Sequence, residues 1–133
     1  MILKTLNFLG KSTLLNCLTG HISPSRGNGT ICDMKITEEM DEIRHLLGFV
    51  PQYDILWDEL TVLEHMEMFC KLKRIDEIHI PSYIHHKLKE VSLHDCKNVR
   101  AKQLSGGMKR RLSVILGSIG DPKVILMDEP TTG

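Results

Sequence analysis

The sequence predicts an α/β fold with a largely parallel sheet. Short apolar runs that close at Pro51 and at Asp128 read as strands. Stretches with apolar residues at every third or fourth position, one from Val62 and one from Ser105, read as helices. The two kinds alternate along the chain, as they do where crossover helices join parallel strands.

Each element has its own signals. Gly10-Lys11-Ser12-Thr13 opens a helix that runs on through Leu14 to Thr19 and stops at Gly20, a residue suited to the position just past a helix end. An alternative reading makes Ile2 to Leu18 one amphipathic helix. Ser23 to Gly29 is dense in turn formers, and Thr30 to Ile36 is a strand candidate. Leu46 to Val50 is a short strand ended by Pro51. Thr61-Val62-Leu63-Glu64 is a capping box, with Leu60 placed as its hydrophobic staple. The helix it opens sets Val62, Met66, Phe69 and Leu72 near one face. A second helix is expected over Pro81 to Val91. A third begins near Ser105, carries Met108, Leu112, Ile115, Leu116 and Ile119 on one stripe, and ends at Asp121-Pro122. Val124 to Met127 then reads as a buried strand running into Asp128-Glu129.

Bulk properties narrow the function classes. A chain of 133 residues suffices for one compact domain with a core. Its 17 basic and 17 acidic residues cancel, so no global field draws it to nucleic acid or to an acidic membrane surface. Cys17, Cys32, Cys70 and Cys96 form no CxxC and match no zinc spacing, which points to reduced thiols of a cytosolic protein. The histidines form no HExxH, and the adjacent His85 and His86 would diverge by about 100° on a helix. No apolar run approaches the ~18 residues of a membrane span. Met1 to Leu9 is too short and too interrupted for a signal peptide. A membrane role would come through something attached to the chain.

Three motifs carry chemistry. Gly10-Lys11-Ser12-Thr13 has the form of the end of a P-loop, G-x-x-x-x-G-K-[ST]. Backbone N–H groups at a helix start point at phosphate oxygens, Lys11 reaches the terminal phosphates, and Ser12 holds Mg²⁺. Thr5 and Phe8 stand where the full motif and its close relatives have glycine, and bulky residues there would resist the dihedrals a wrapped phosphate cradle needs. Val124 to Glu129 has the form of a strand that carries carboxylates at its C-terminal tip, where α/β folds bind ligands. There Asp128 would bind Mg²⁺ and Glu129 would polarise the attacking water as general base. Leu104-Ser105-Gly106-Gly107-Met108 starts a helix with a serine and two glycines, a second place for an anion. Its flanks carry Lys97, Arg100, Lys102, Lys109, Arg110 and Arg111, with no acidic residue between Lys97 and Arg111.

In order, GKST, Pro51-Gln52, Gln103-Leu104-Ser105-Gly106-Gly107 and Asp128-Glu129-Pro130 resemble the nucleotide-binding domain of ATP-binding cassette (ABC) proteins. The resemblance runs from Asn7 to Gly133. The strings GFVPQYDILWDELTVLEH, LSGGMKRRLSV and GDPKVILMDEPTTG resemble the A subfamily of ABC transporters, associated with lipid movement. The resemblance implies a P-loop NTPase fold with a mainly parallel sheet and a helical signature subdomain, here an incomplete ABC ATPase domain. It divides the chain into 1–52 (P-loop to Gln loop), 53–104 (helical subdomain) and 105–133 (signature helix and Walker B strand). It places Asn7, Gly10, Lys11, Ser12, Thr13, Leu104, Ser105, Gly106 and Gly107 on ATP, and Ser12, Gln52 and Asp128 on Mg²⁺. Glu129 and Gln52 become the catalytic residues.

The partners it implies are a second nucleotide-binding domain, paired head to tail so that each ATP lies between one P-loop and the other LSGG, and a transmembrane domain that keeps the chain on the cytoplasmic face of a membrane. Nucleic acid is not an expected partner. Residues 53 to 100 would touch the membrane-spanning part. The chain is expected to be truncated at both ends, without the strands and adenine-stacking aromatic that precede the P-loop or the switch histidine that follows. Met1 to Leu9 reads as sequence joined ahead of GKST. Two alternatives stand beside this reading. One is a soluble ABC ATPase acting on DNA or ribosomes, disfavoured because no sustained heptads lie between Gln52 and Ser105. The other is a non-catalytic remnant, motivated by Thr5, Phe8 and the missing histidine.

Overall fold

The structure is a computed structural model that describes the backbone of residues 2–4 and 10–128, with side chains for 13–128. In chain order its main elements are β1 (Ile2–Lys4), α1 (Lys11–Leu18), β2 (Thr30–Ile31), β3 (Met34–Lys35), α2 (Met40–Leu46), β4 (Leu47–Val50), α3 (Val62–Leu72), α4 (Ile80–Glu90), α5 (Gly106–Gly117) and β5 (Val124–Met127). They fall into two compact units, Met1–Gln52 with Asp121–Pro130, and a second that covers Tyr53–Gly120. The stretch 105–133, grouped as signature helix and strand from the sequence, is thus shared: α5 belongs to the second unit and β5 to the first.

The first unit is built on a three-stranded parallel sheet in the order β1-β5-β4. Lys4 and Val50 both pair with Met127, so all three strands end at one level. The early strand β1 corrects the expectation that the chain starts too late for one ahead of the P-loop. It also sets aside the single helix from Ile2 to Leu18. Ile2-Leu3 finds a neighbour in Ile125-Leu126, and long-range pairing of this kind overrides local periodicity. Val124 and Leu126 of β5 are buried against Leu15, Ile36, Ile43 and Leu47.

Two further elements differ from expectation. Thr30 to Ile36 is an antiparallel hairpin of β2 and β3, not one strand. Its two-residue loop holds Cys32 and Asp33 at φ 51° and 66°, the left-handed pair of a type I′ turn. Helix α2 has no sequence counterpart above. It buries only Ile43 and is stabilised at its ends, with Asp41 and Glu42 in the first turn and Arg44 and His45 in the last.

The second unit is helical. Thr61 caps α3 with the full reciprocal box: Glu64 N–H donates to Thr61 Oγ1 at 3.2 Å, and Thr61 N–H donates to Glu64 Oε2 at 2.7 Å. Val62, Met66 and Cys70 of α3 pack with Ile80, Ile84 and Leu88 of α4 and with Leu112, Ile115 and Leu116 of α5. Burying one such aliphatic side chain contributes about 1.5–3 kcal/mol. Leu72, placed on the inner face by the sequence pattern, is 69% exposed. Near the end of α3 the core position is taken by Cys70 instead. His65 is buried as well. Its Nδ1 lies 2.8 Å from Thr61 O, and its Nε2 accepts from Trp57 N–H at 3.0 Å. Those partners fix the proton on Nδ1. Helix α5 ends at Gly117, ahead of the Asp121-Pro122 stop, and Gly120 and Asp121 follow at positive φ.

Candidate functional site

The strand tips of the first unit bring several of the singled-out residues to one place. β1 ends at Lys4, beside Met127, and the chain then leads to Gly10 and α1. Gly10 has φ 98° and ψ 5°, a left-handed conformation that glycine adopts freely. Among the described residues the first turn of α1 has no side-chain cap, and its sequence has no acidic residue. A Cβ added at Gly10 would meet nothing within 4 Å among the described residues. Among the described residues, then, no side chain covers the N–H groups at this positive end of the helix dipole. Leu14 N–H donates to Gly10 O at 2.9 Å, which closes the first turn behind them.

Asp128 follows β5 directly and is 8% exposed. Its backbone N–H donates to Val50 O at 3.0 Å, which ties the tip of β5 to the tip of β4. The chain leaves β4 through Pro51 to a half-buried Gln52. Asp128 and Gln52 thus follow the carboxyl ends of β5 and β4 in one parallel sheet, and Gly10 follows β1 in the sequence. Thr13 is exposed on α1. For Lys11 and Ser12 the backbone is placed at the start of α1. Asn7 and Glu129, with Thr5 and Phe8, lie outside the described residues.

The second unit holds the LSGG segment. Ser105 N-caps α5, and its Oγ accepts from Met108 N–H at 3.3 Å. Leu104 is buried, while Ser105, Gly106 and Gly107 are exposed with nothing within 4 Å of a Cβ added at either glycine among the described residues. The approach to this turn is held by backbone pairing with Leu60 and the first turn of α3. Ala101 N–H donates to Leu60 O at 2.8 Å, Val62 N–H to Val99 O at 3.1 Å, and Leu63 N–H to Lys97 O at 2.8 Å.

Sequence reasoning missed the partners of the basic run. Glu59 pairs with Lys102 at 3.0 Å and with Arg100 at 3.7 Å, Asp58 with Lys109 at 3.9 Å, and Asp54 with Arg110 at 3.2 Å. The flanks of LSGG are therefore largely neutralised by one acidic stretch, and not left as a free cationic field. The acids of YDILWDEL were visible in the sequence, but nothing local ties them to cations some fifty residues on. Both Glu59 and Glu64 are held below the ordinary carboxylate value by hydrogen bonds, Glu59 by the Lys102 ammonium and Glu64 by the Thr61 N–H and then its hydroxyl.

With this geometry in place, comparison with known proteins is decisive. The family model described as ABC transporter matches residues 7–132. The chain belongs to the ABC transporter family. Within it, the A family supplies similar sequences. ABC transporter A family member 8 of Dictyostelium discoideum is 46% identical over 127 residues, and ABC transporter A family member 2 of Arabidopsis thaliana is 44% identical over 129. The mouse phospholipid-transporting ATPase ABCA3 is 41% identical over 127 residues. Each alignment takes in 96% of this chain but only 15%, 13% and 8% of the respective relative. The ATP-binding subunit of an ABC transporter superposes with a TM-score of 0.81 at 24% identity, over 98% of this chain and 55% of its own. A dimeric ATP-binding cassette, MJ0796, in a post-hydrolysis state bound to ADP and Pi, gives a TM-score of 0.78 at 30% identity, over 92% of this chain and 57% of its own. The fold is that of an ABC ATPase domain. No described helix of this ABC chain is long and apolar enough to cross a membrane.

Proposed function

We propose that this chain is the nucleotide-binding part of an A-family ABC transporter, binding and hydrolysing ATP to drive transport. The carrying observation is the shared carboxyl end of β1, β5 and β4, with Asp128 directly after β5 and α1 opening at Gly10 on the chain that follows β1. A glycine-led helix start and a strand-tip carboxylate in one unit suit a polyphosphate with its metal. Gly10, Lys11, Ser12 and Thr13 hold the phosphates in this reading, with Asn7 on the approach. Ser12, Asp128 and Gln52 would hold Mg²⁺, which neutralises charge on the phosphate oxygens when bound. Glu129 accepts the proton of the attacking water, and Gln52 orients that water. Lys11 balances charge at the terminal phosphates.

Leu104, Ser105, Gly106 and Gly107 would close on the nucleotide of a second domain, head to tail. The dimeric, ADP- and Pi-bound relative supports such pairing. Likeness to a phospholipid-transporting ATPase supports lipid as the transported class. A transmembrane domain would then hold the chain at the cytoplasmic face of a membrane. Hydrolysis by the purified chain and by Glu129→Gln tests the proposal. Turnover that Glu129→Gln abolishes supports it. Turnover that persists in the variant rejects Glu129 as the general base.

Thr5 and Phe8 favour a second reading, a chain that binds nucleotide weakly and does not turn over. Replacing both by glycine separates the two, since only an obstructed cradle gains affinity from the change.

A further inference from the structure

One acidic stretch grips both flanks of the signature. Glu59 meets Lys102 and Arg100 ahead of it, while Asp58 and Asp54 meet Lys109 and Arg110 behind it. The contacts differ in weight. Glu59 and Asp58 keep 72% and 70% of their side chains in water, and pairs of that kind contribute little. Asp54 and Arg110 are only 23% and 14% exposed, with Arg110 Nη1 donating to Asp54 Oδ1 at 3.2 Å. A charged hydrogen bond removed from water in this way is the strong member of the set, and removing one partner is costly. Arg110 sits one turn into α5, directly behind Gly106 and Gly107. Asp54 comes from the segment that leaves Gln52, and Leu56, two residues on, packs on the helical core.

We propose that Asp54 is a positioning residue for the signature. By holding Arg110 it fixes the first turns of α5, and with them the direction in which Ser105 Oγ and the N–H groups of Gly106 and Gly107 face. Arg110 then acts as an anchor for the motif, and backbone dipoles and Ser105 remain to meet an anion. The role at closure rests on the reading that the signature closes on a partner's nucleotide.

Hydrogen exchange at the amides of Lys109 to Leu112 tests the positioning without any need for ATP. Asp54→Asn is expected to speed their exchange roughly tenfold while the amides of α4 keep their rates. Asp54→Glu, which retains the charge, should restore most of the protection. Unchanged exchange in Asp54→Asn, or a uniform rise that includes α4, overturns the proposal. A second arm follows Mg-ATP-driven pairing by sedimentation in a Glu129→Gln background. Asp54→Asn should weaken pairing about tenfold and leave the affinity of the single chain for ATP as it was. Equal pairing with and without Asp54 overturns the role at closure. If the parent chain fails to pair while exchange behaves as expected, the head-to-tail reading fails and the positioning by Asp54 stands.

Discussion

Replacing Gly10 by alanine separates the backbone demand at the start of α1 from its chemistry. The residue sits at φ 98°, where an L-residue costs about 1–2 kcal/mol. Alanine also stiffens the unfolded chain, which offsets about 0.4–1 kcal/mol of that cost. The added methyl meets nothing within 4 Å among the described residues, so it neither clashes nor packs with any of them. A net loss near 1 kcal/mol is expected, lowering the melting temperature by about 4 °C for a domain of this size. Nucleotide binding should fall much further, because the methyl enters the space in front of the uncapped first turn. Thermal unfolding and calorimetric titration with Mg-ATP give the two readouts. An unchanged or raised melting temperature would mean that Gly10 is not held left-handed. A lowered one with full nucleotide affinity would mean that phosphate does not use this turn.

Other parts of the molecule make their own predictions. Thr61→Ala removes the acceptor for Glu64 N–H at 3.2 Å and should cost about 1 kcal/mol in urea unfolding. The Thr61 N–H, and then its hydroxyl, hold the Glu64 carboxyl below its ordinary 4.5. A depressed folded value adds stability above the unfolded pKa and loses it as pH falls through the folded one. Urea midpoints should therefore drop on acidification below about 4.5, and Glu64→Gln should remove that portion of the drop; an identical pH profile in the variant would contradict it. Burial, with Glu67 nearby, raises the Cys70 thiol, whereas Cys32 is exposed in a turn. A thiol reagent at mildly alkaline pH should label Cys32 in the folded chain and reach Cys70 only in denaturant; equal labelling rates would show that the helical core opens readily.

Much of the fold was legible because its signals are local. The Thr61-Glu64 capping box, the Gly20 stop and the apolar stripe of Leu112, Ile115 and Leu116 all lie within one or two turns of what they specify. What escaped depends on distant partners or weak chemistry. β1 is a strand because β5 lies beside it. The hairpin turn is made by Cys32-Asp33, without the Asn-Gly or Asp-Gly that announces a type I′ loop. α2 buries one residue and so has no stripe to read. At the site, the Ser105 cap and the strand-tip place of Asp128 could be read directly, since capping and strand ends are written in adjacent residues. The neutralisation of the basic flank could not, because charge pairing across 41 to 56 positions leaves no periodic trace.

Calorimetric binding of Mg-ATP to this chain and to its Lys11→Ala variant is the most direct test of the nucleotide site. Saturable binding that weakens at least about tenfold in Lys11→Ala, with thermal unfolding of the nucleotide-free variant unchanged, is the expected result. Equal affinity in both chains would contradict a phosphate site at the start of α1.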